Sequence, residues 1–303
     1  MIFPIQYAIS ESKIIKSVPE KERYLATVIP GKLETYVFTN EKDYHKDYQK
    51  SLFAITHKKC GWDCMRHYEI LANGCIPVFK DLHQCPNNIM TLFPKEYIID
   101  LQSLCKNDNL ILNKNEYKLH IEYLLNYTRQ YLTTEHLAKY VLEKSNNQIC
   151  NRILILTTRT GAEYLKDMLI IGFKELLKQN CHDFPMNEYI YHGYNLNQYN
   201  KKQKKQNRIM TVAHSLDPTL QVRLSENQIT SHIRNKYYDI ILYPDVCLTD
   251  GKLPYYNLVK EQYEYSKIIL VCGMDGFDHK CPFAKSHKHH PLFVRELYPE
   301  LYS

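Results

Sequence analysis

Apolar residues in this chain fall into two alternating patterns: runs of strand length, and stretches in which they recur every three or four positions. The clearest unit runs from Ser51 to Phe79. Ser51 to Thr56 (SLFAIT) is a strand-length apolar run, followed by a polar turn, His57 to Gly61. The spacing then predicts a helix from about Trp62 to Asn73, ended by Gly74 in a left-handed cap, with Pro77 close behind. A second apolar run, Cys75 to Phe79, completes a strand–loop–helix–strand unit, the crossover of a parallel sheet. At about 100° per residue, Cys64, Met65, Tyr68, Leu71 and Ala72 share the arc that faces the sheet. Arg66, Glu69 and Asn73 share the opposite arc, with Trp62 and Asp63 nearby.

On either side the pattern is read in the same way. Ile2 to Ser10 is strand-like, Pro30-Gly31 marks a turn, Glu34 to Thr39 reads as β, and Asn40 to Lys50 as a short helix. Tyr97 to Leu101 reads as a strand and Asp108 to Asn115 as a polar linker. A helical stretch from Glu116 to Lys144 is split by a cap at Thr133–Glu135. A boundary near Cys150 divides the chain into units of 1–149 and 150–303. The second unit alternates: Arg152–Thr157 strand, Ala162–Lys178 helix, Glu188–Tyr191 strand, Glu226–Lys236 helix, Tyr238–Tyr243 strand, Tyr255–Tyr265 helix and Lys267–Cys272 strand. The fold class this predicts is α/β, with two Rossmann-like parallel-sheet domains facing a cleft.

Composition narrows the function classes. With 303 residues, 44% hydrophobic and 24% charged, the chain belongs with globular proteins. A net charge of +6 suits phosphate-bearing ligands and is too small to argue for nucleic acid. No apolar stretch approaches the roughly 20 residues of a membrane helix, so no integral membrane segment is expected. MIFPIQYAISESK lacks the basic and apolar regions of a secretory signal, which points to a cytoplasmic protein. The ten cysteines are scattered, several of them in apolar runs, as buried reduced thiols are.

The central unit carries the first candidate chemistry. A helix N-terminus at the carboxyl end of a parallel strand favours an anion. Lys58 and Lys59 precede it and Arg66 lies one turn in, an arrangement suited to a diphosphate, with Glu69 placed for sugar hydroxyls. The alternative is an exposed Arg66–Glu69 pair of little energetic weight. A second candidate is GMDGFDH, Gly273 to His279, directly after an apolar strand. Carboxylates there point into the cleft of an α/β sheet, making Asp275, Asp278 and His279 candidates for acceptor contact or general base. Asp245, after YDIILYP, and Glu163, after TTRTG, compete for that role; each also fits as a turn or cap residue. Cys60, Cys64 and His67 lack the fourth ligand and paired CxxC of a zinc site. His67-Tyr68-Glu69 lacks the P-C-x-x-C that zinc deaminases need. KSHKHHP (Lys285–Pro291) and KKQKK (Lys201–Lys205) read as solvated loops.

KKCGWDCMRHYEILANGCIPVF resembles the nucleotide-sugar-binding motif of exostosin-like GT-B glycosyltransferases, particularly those of large DNA viruses and some bacteria. The match spans roughly 20 positions and is most specific in R-H-Y-E-I-L-A-x-G-C-I-P. The resemblance implies a viral-type enzyme that moves a sugar from a nucleotide-diphosphate donor to a glycan or glycoprotein hydroxyl, with no metal and no further cofactor. It places the diphosphate on Lys58, Lys59 and Arg66, with Gly61 in the same turn, and the ribose on Glu69. Asp275, Asp278 and Asp245 are then the candidate bases, and Arg159, Glu163 and His279 the acceptor side. The order of the halves departs from that family: the motif-bearing half comes first here, and PLFVREL near the end resembles the segment that runs into a FPIQYAI-like strand. The resemblance therefore implies either a circular permutation or a piece cut out of a tandem array, and the permutation predicts that Ile2–Ser10 and Leu292–Leu297 lie together. A different class of function, a catalytically silent nucleotide- or sugar-binding partner protein, fits the same residues.

Overall fold

The computed structural model describes residues 1–103, 105–106, 109–110, 113–196, 211–248, 252–275 and 281–302. In chain order the first half gives β1 (Ile2–Pro4), β2 (Arg23–Leu25), α1 (Glu41–Lys50), β3 (Ser51–Thr56), α2 (Met65–Ala72), β4 (Ile76–Phe79) and α3 (Lys95–Ser103). A short hairpin of β5 (Cys105–Lys106) and β6 (Asn109–Leu110) leads to α4 (Lys114–Tyr131) and α5 (Thr134–Lys144). Then come β7 (Ile153–Leu156), α6 (Tyr164–Leu177), β8 (Cys181–Phe184), α7 (Glu226–Arg234), β9 (Ile240–Tyr243), α8 (Tyr256–Gln262), β10 (Ile268–Cys272), α9 (Phe283–Ser286), β11 (Leu292–Val294) and α10 (Pro299–Tyr302).

The strands form two parallel sheets. The larger has six strands in the order β1-β11-β10-β9-β7-β8; the smaller has three, β2-β3-β4. Along β7, Ile153 and Ile155 face one apolar cluster while Leu154 and Leu156 face another, and β9 and β10 alternate in the same way. Both faces of the larger sheet are thus covered, as parallel sheets require: α6 supplies Leu165, Met168 and Leu169 to one face, and α7 and α8 supply Ile229, Ile233 and Val259 to the other. Strand order reverses between β7 and β9, so the carboxyl ends of these strands flank a topological switch point.

The central unit forms as the pattern predicts. β3 and β4 pair in parallel with Phe53 opposite Ile76, and Gly74 takes φ +63° at the end of α2. The helix starts three residues later than expected because Gly61–Cys64 form a turn held from the other half of the molecule. Asn40 caps α1, Asn113 forms a capping box on α4, and Thr133 caps α5. The expected neighbourhood of Ile2–Ser10 and Leu292–Leu297 is present: β1 lies beside β11, Ile2 opposite Leu292.

Four elements differ from the sequence pattern. Tyr97–Leu101 lies within α3, where Ile98 and Leu101, three apart, turn to one buried face. Glu34–Thr39 contains a 3-10 turn, and the edge strand is Arg23–Leu25 instead. Glu188–Ile190 is likewise a 3-10 turn, and the strand after α6 is β8, which lies earlier. Its sequence, CHDF, hides it because two polar residues are buried there with partners. Lys174 of α6 forms a buried ion pair with Asp183 at 3.0 Å, and His182 Nδ1 is bonded to the Tyr238 hydroxyl at 2.9 Å. KSHKHHP departs from a solvated loop at both ends: Lys285 and Ser286 belong to α9, and His290 and Pro291 are buried, His290 bonded to the Tyr256 hydroxyl and the Ile268 carbonyl.

Candidate functional site

The two sheets meet at the turn before α2. The carboxyl end of β11 supplies Arg295 and Glu296, both buried, and both reach across to that turn. Glu296 accepts from the backbone N–H groups of Trp62 (3.2 Å) and Asp63 (3.0 Å). Arg295 Nη1 donates to the Asp63 carbonyl at 2.6 Å, while Nη2 donates to the Met274 carbonyl at 3.2 Å and to Asp275. The Asp63 carboxylate accepts from the Tyr7 N–H (2.7 Å) and the Tyr68 hydroxyl (2.7 Å). Burial raises its pKa to about 7, against the pull of Arg295. Gly61 is required by this packing: a Cβ there would come within 2.6 Å of the Glu296 carboxyl carbon. An anion does sit at the turn before α2, and it is a carboxylate of the chain itself.

Beside this junction lies a cavity of about 800 Å³. Lys59, Cys60, Gly61, Asp63, Cys64, Met65, Arg66 and Glu69 line it from the central unit, with Val28, Tyr36, Phe38 and Tyr44 alongside. Tyr7, Tyr164 and Asp275 close it from the larger sheet. Arg66 donates through Nη2 to the Tyr36 hydroxyl at 3.2 Å, but its Nη1 is buried without a hydrogen-bond partner. A buried guanidinium nitrogen left unpaired carries a substantial desolvation cost.

Glu69 is buried, which contradicts a simple surface arc for α2. That face packs on α1: the Tyr44 hydroxyl donates to Glu69 Oε2 at 2.9 Å, and Gln49 bonds Asn73 at 2.8 Å. The Thr211 hydroxyl, from the other half, donates to Glu69 Oε1. Burial pushes the Glu69 pKa up, and these two hydroxyls pull it back. Arg66 and Glu69 make no ion pair with each other.

The other sequence-selected residues are distributed as follows. Lys58 lies outside the cavity, its ammonium 4.7 Å from the centre of the Trp62 ring. Asp245 is buried and does not line the cavity; its Oδ2 accepts from Thr158 N–H (3.3 Å) and Oγ1 (3.0 Å), joining the ends of β7 and β9. Glu163 caps α6 by accepting from the N–H groups of Leu165 (3.3 Å) and Lys166 (2.6 Å). The Arg159 carbonyl, like that of Gly161, accepts from the buried Lys166 ammonium, which braces the loop after β7. Asp278, His279 and the KKQKK run lie outside the described residues. His67 is fully buried between the Thr56 hydroxyl (2.9 Å) and the Trp62 carbonyl (2.9 Å), which removes it as a ligand. Among the described residues no group of three His, Cys, Asp or Glu side chains is arranged to hold a metal ion. Within the same residues no helix is long and apolar enough to cross a membrane.

The sequence reading missed Arg295, Glu296, Tyr44 and Thr211. Arg295-Glu296 follows an apolar strand, the position from which GMDGFDH drew notice, and that was the available signal. No family model, no characterised protein and no solved structure matches the chain.

Proposed function

We propose that the cavity binds a nucleotide-diphosphate sugar and that the protein is a GT-B-type glycosyltransferase acting on a glycan or glycoprotein hydroxyl. One observation carries this reading. Residues from one contiguous motif, Lys59, Gly61, Arg66 and Glu69, line a single cavity with Asp275 of the other half, and Arg66 keeps one nitrogen without a hydrogen-bond partner. Arg66 and Lys59 supply positive charge for a diphosphate, stabilising the leaving group as it departs. Glu69 accepts hydroxyl hydrogens; Tyr44 and Thr211 are what it binds in their absence. Asp275 is held by Arg295 through Oδ1, which leaves Oδ2 to take the acceptor proton. The pairing of β1 with β11 supports a permuted order of halves, since it restores side by side the segments that the permutation separates.

A second reading, a silent nucleotide- or sugar-binding protein, is favoured by the self-satisfied state of the site: Thr211 and Tyr44 occupy Glu69, and Glu296 occupies the turn. Calorimetric titration with a panel of nucleosides, nucleoside diphosphates and sugar nucleotides tests what both readings share. Micromolar binding that requires the diphosphate is the expected result. Equal affinity for nucleoside and nucleoside diphosphate would remove Arg66 from its role, and no binding by any member of the panel would defeat both readings.

A further inference from the structure

Three cysteine thiols that play no part in the proposed site meet at the rim of the larger sheet. Cys272 is the last residue of β10, Cys247 lies in the 3-10 turn Val246–Leu248 after β9, and Cys281 precedes α9. β9 and β10 are parallel neighbours, so their carboxyl ends bring the first two side by side. All three pack in one apolar cluster, and the Cys272 thiol is in hydrogen-bonding reach of both others. Cys272 and Cys281 are buried; Cys247 is half-buried and reachable from solvent. None of the three is in a disulfide, and among the described residues they are not arranged as a metal site.

We propose that Cys247 and Cys272 form a reversible disulfide site, closed by hydrogen peroxide. The Cys247 sulfur attacks one peroxide oxygen; the O–O bond breaks, leaving a sulfenic acid on Cys247 and one water. The Cys272 sulfur then attacks the Cys247 sulfur, the S–O bond breaks, and hydroxide leaves with the Cys272 proton as a second water. Two thiols lose two electrons and two protons, and hydrogen peroxide is reduced to two waters. The division of labour follows from the environment. A hydrogen bond from Cys272 holds the Cys247 pKa below the ordinary thiol range, while Cys272 itself is held protonated. The bond would tie the turn that carries Asp245 to the strand end that leads into Gly273 and Asp275, so it would close beside the cleft.

The test uses the whole protein. It is treated with hydrogen peroxide, free thiols are alkylated, and the unreduced digest is analysed by mass spectrometry, with the exposed Cys60 reporting that oxidant was delivered. The expected result is a peptide pair joining Cys247 to Cys272, lighter by two hydrogens, released by dithiothreitol and absent from Cys247→Ser. Alkylating Cys247 in the native protein before peroxide gives the same test without a substitution, and Cys272 should then stay reduced. Full alkylation of Cys247 after Cys60 has been oxidised would overturn the proposal, as would a bond between Cys272 and Cys281 in place of the expected one.

Discussion

The guanidinium of Arg295 is ion-paired with Asp275, and the same group donates to the backbone carbonyl of Asp63 in the opposite half of the molecule. One side chain therefore fixes both the carboxylate that lines the cavity and the turn that opens α2. Replacing Arg295 with Ala leaves the Asp63 and Glu296 carboxylates buried without their cation. Breaking a buried charge network of this kind costs about 3–5 kcal/mol. Urea unfolding should show that loss, with Arg295→Lys recovering only part of it because an ammonium cannot span all of these acceptors. A midpoint unchanged in Arg295→Ala would remove the residue from the junction.

Gly61→Ala tests the other side of the same contact. The added methyl would press on the Glu296 carboxyl and separate it from the Trp62 and Asp63 N–H groups. Overpacking and the lost bonds together should cost about 1–3 kcal/mol. Gly31→Ala, where nothing lies within 4 Å of the new Cβ but φ is +86°, makes a useful comparison limited to backbone strain.

The Thr211 hydroxyl donates to Glu69, so on the proposed reading it competes with a ligand hydroxyl. Thr211→Val removes a hydrogen bond to a charged group and should tighten nucleoside diphosphate binding by up to about tenfold. Glu69→Ala should weaken it. Calorimetry that finds Thr211→Val unchanged while Glu69→Ala binds poorly would show that Thr211 is not displaced on binding.

Asp167 gives a pH-dependent prediction. It is fully buried, and desolvation raises its pKa to about 6 despite the Lys166 ammonium at 3.4 Å. Between its unfolded value near 3.9 and its folded value the native state holds more protons than the unfolded state, so this group's contribution to stability falls as pH rises through that window. The Tm difference between Asp167→Asn and the parent should therefore shift in the variant's favour from pH 4 to pH 7. A difference that stays flat would mean Asp167 is ionised throughout.

Much of the architecture was legible because its strands and helices obey a single pattern. SLFAIT, RILILT and KIILVC are continuous apolar runs of the kind that parallel strands buried on both faces need. β8 was not legible, since its polar residues are matched by tertiary partners: Asp183 by Lys174 of the preceding helix, and His182 by Tyr238, far along the chain. The site was legible on one side only. Arg66 and Glu69 announce themselves by helical spacing, whereas Arg295 offers only its position after an apolar strand, and Thr211 reaches the site through the folding of the other half, which no local pattern encodes. Helix periodicity also sorted Glu69 and Asn73 onto a second face correctly, but it could not tell that α1 covers that face.

The central claim is sugar transfer within the cavity, and release of nucleoside diphosphate tests it most directly. Sugar nucleotides are incubated with the protein, with and without crude glycan acceptors, alongside Asp275→Asn. The account predicts acceptor-dependent release by the parent, and in Asp275→Asn a rate lower by about 10²–10⁴-fold with nucleotide binding retained. Binding without release on every acceptor, or equal release by Asp275→Asn, would contradict it.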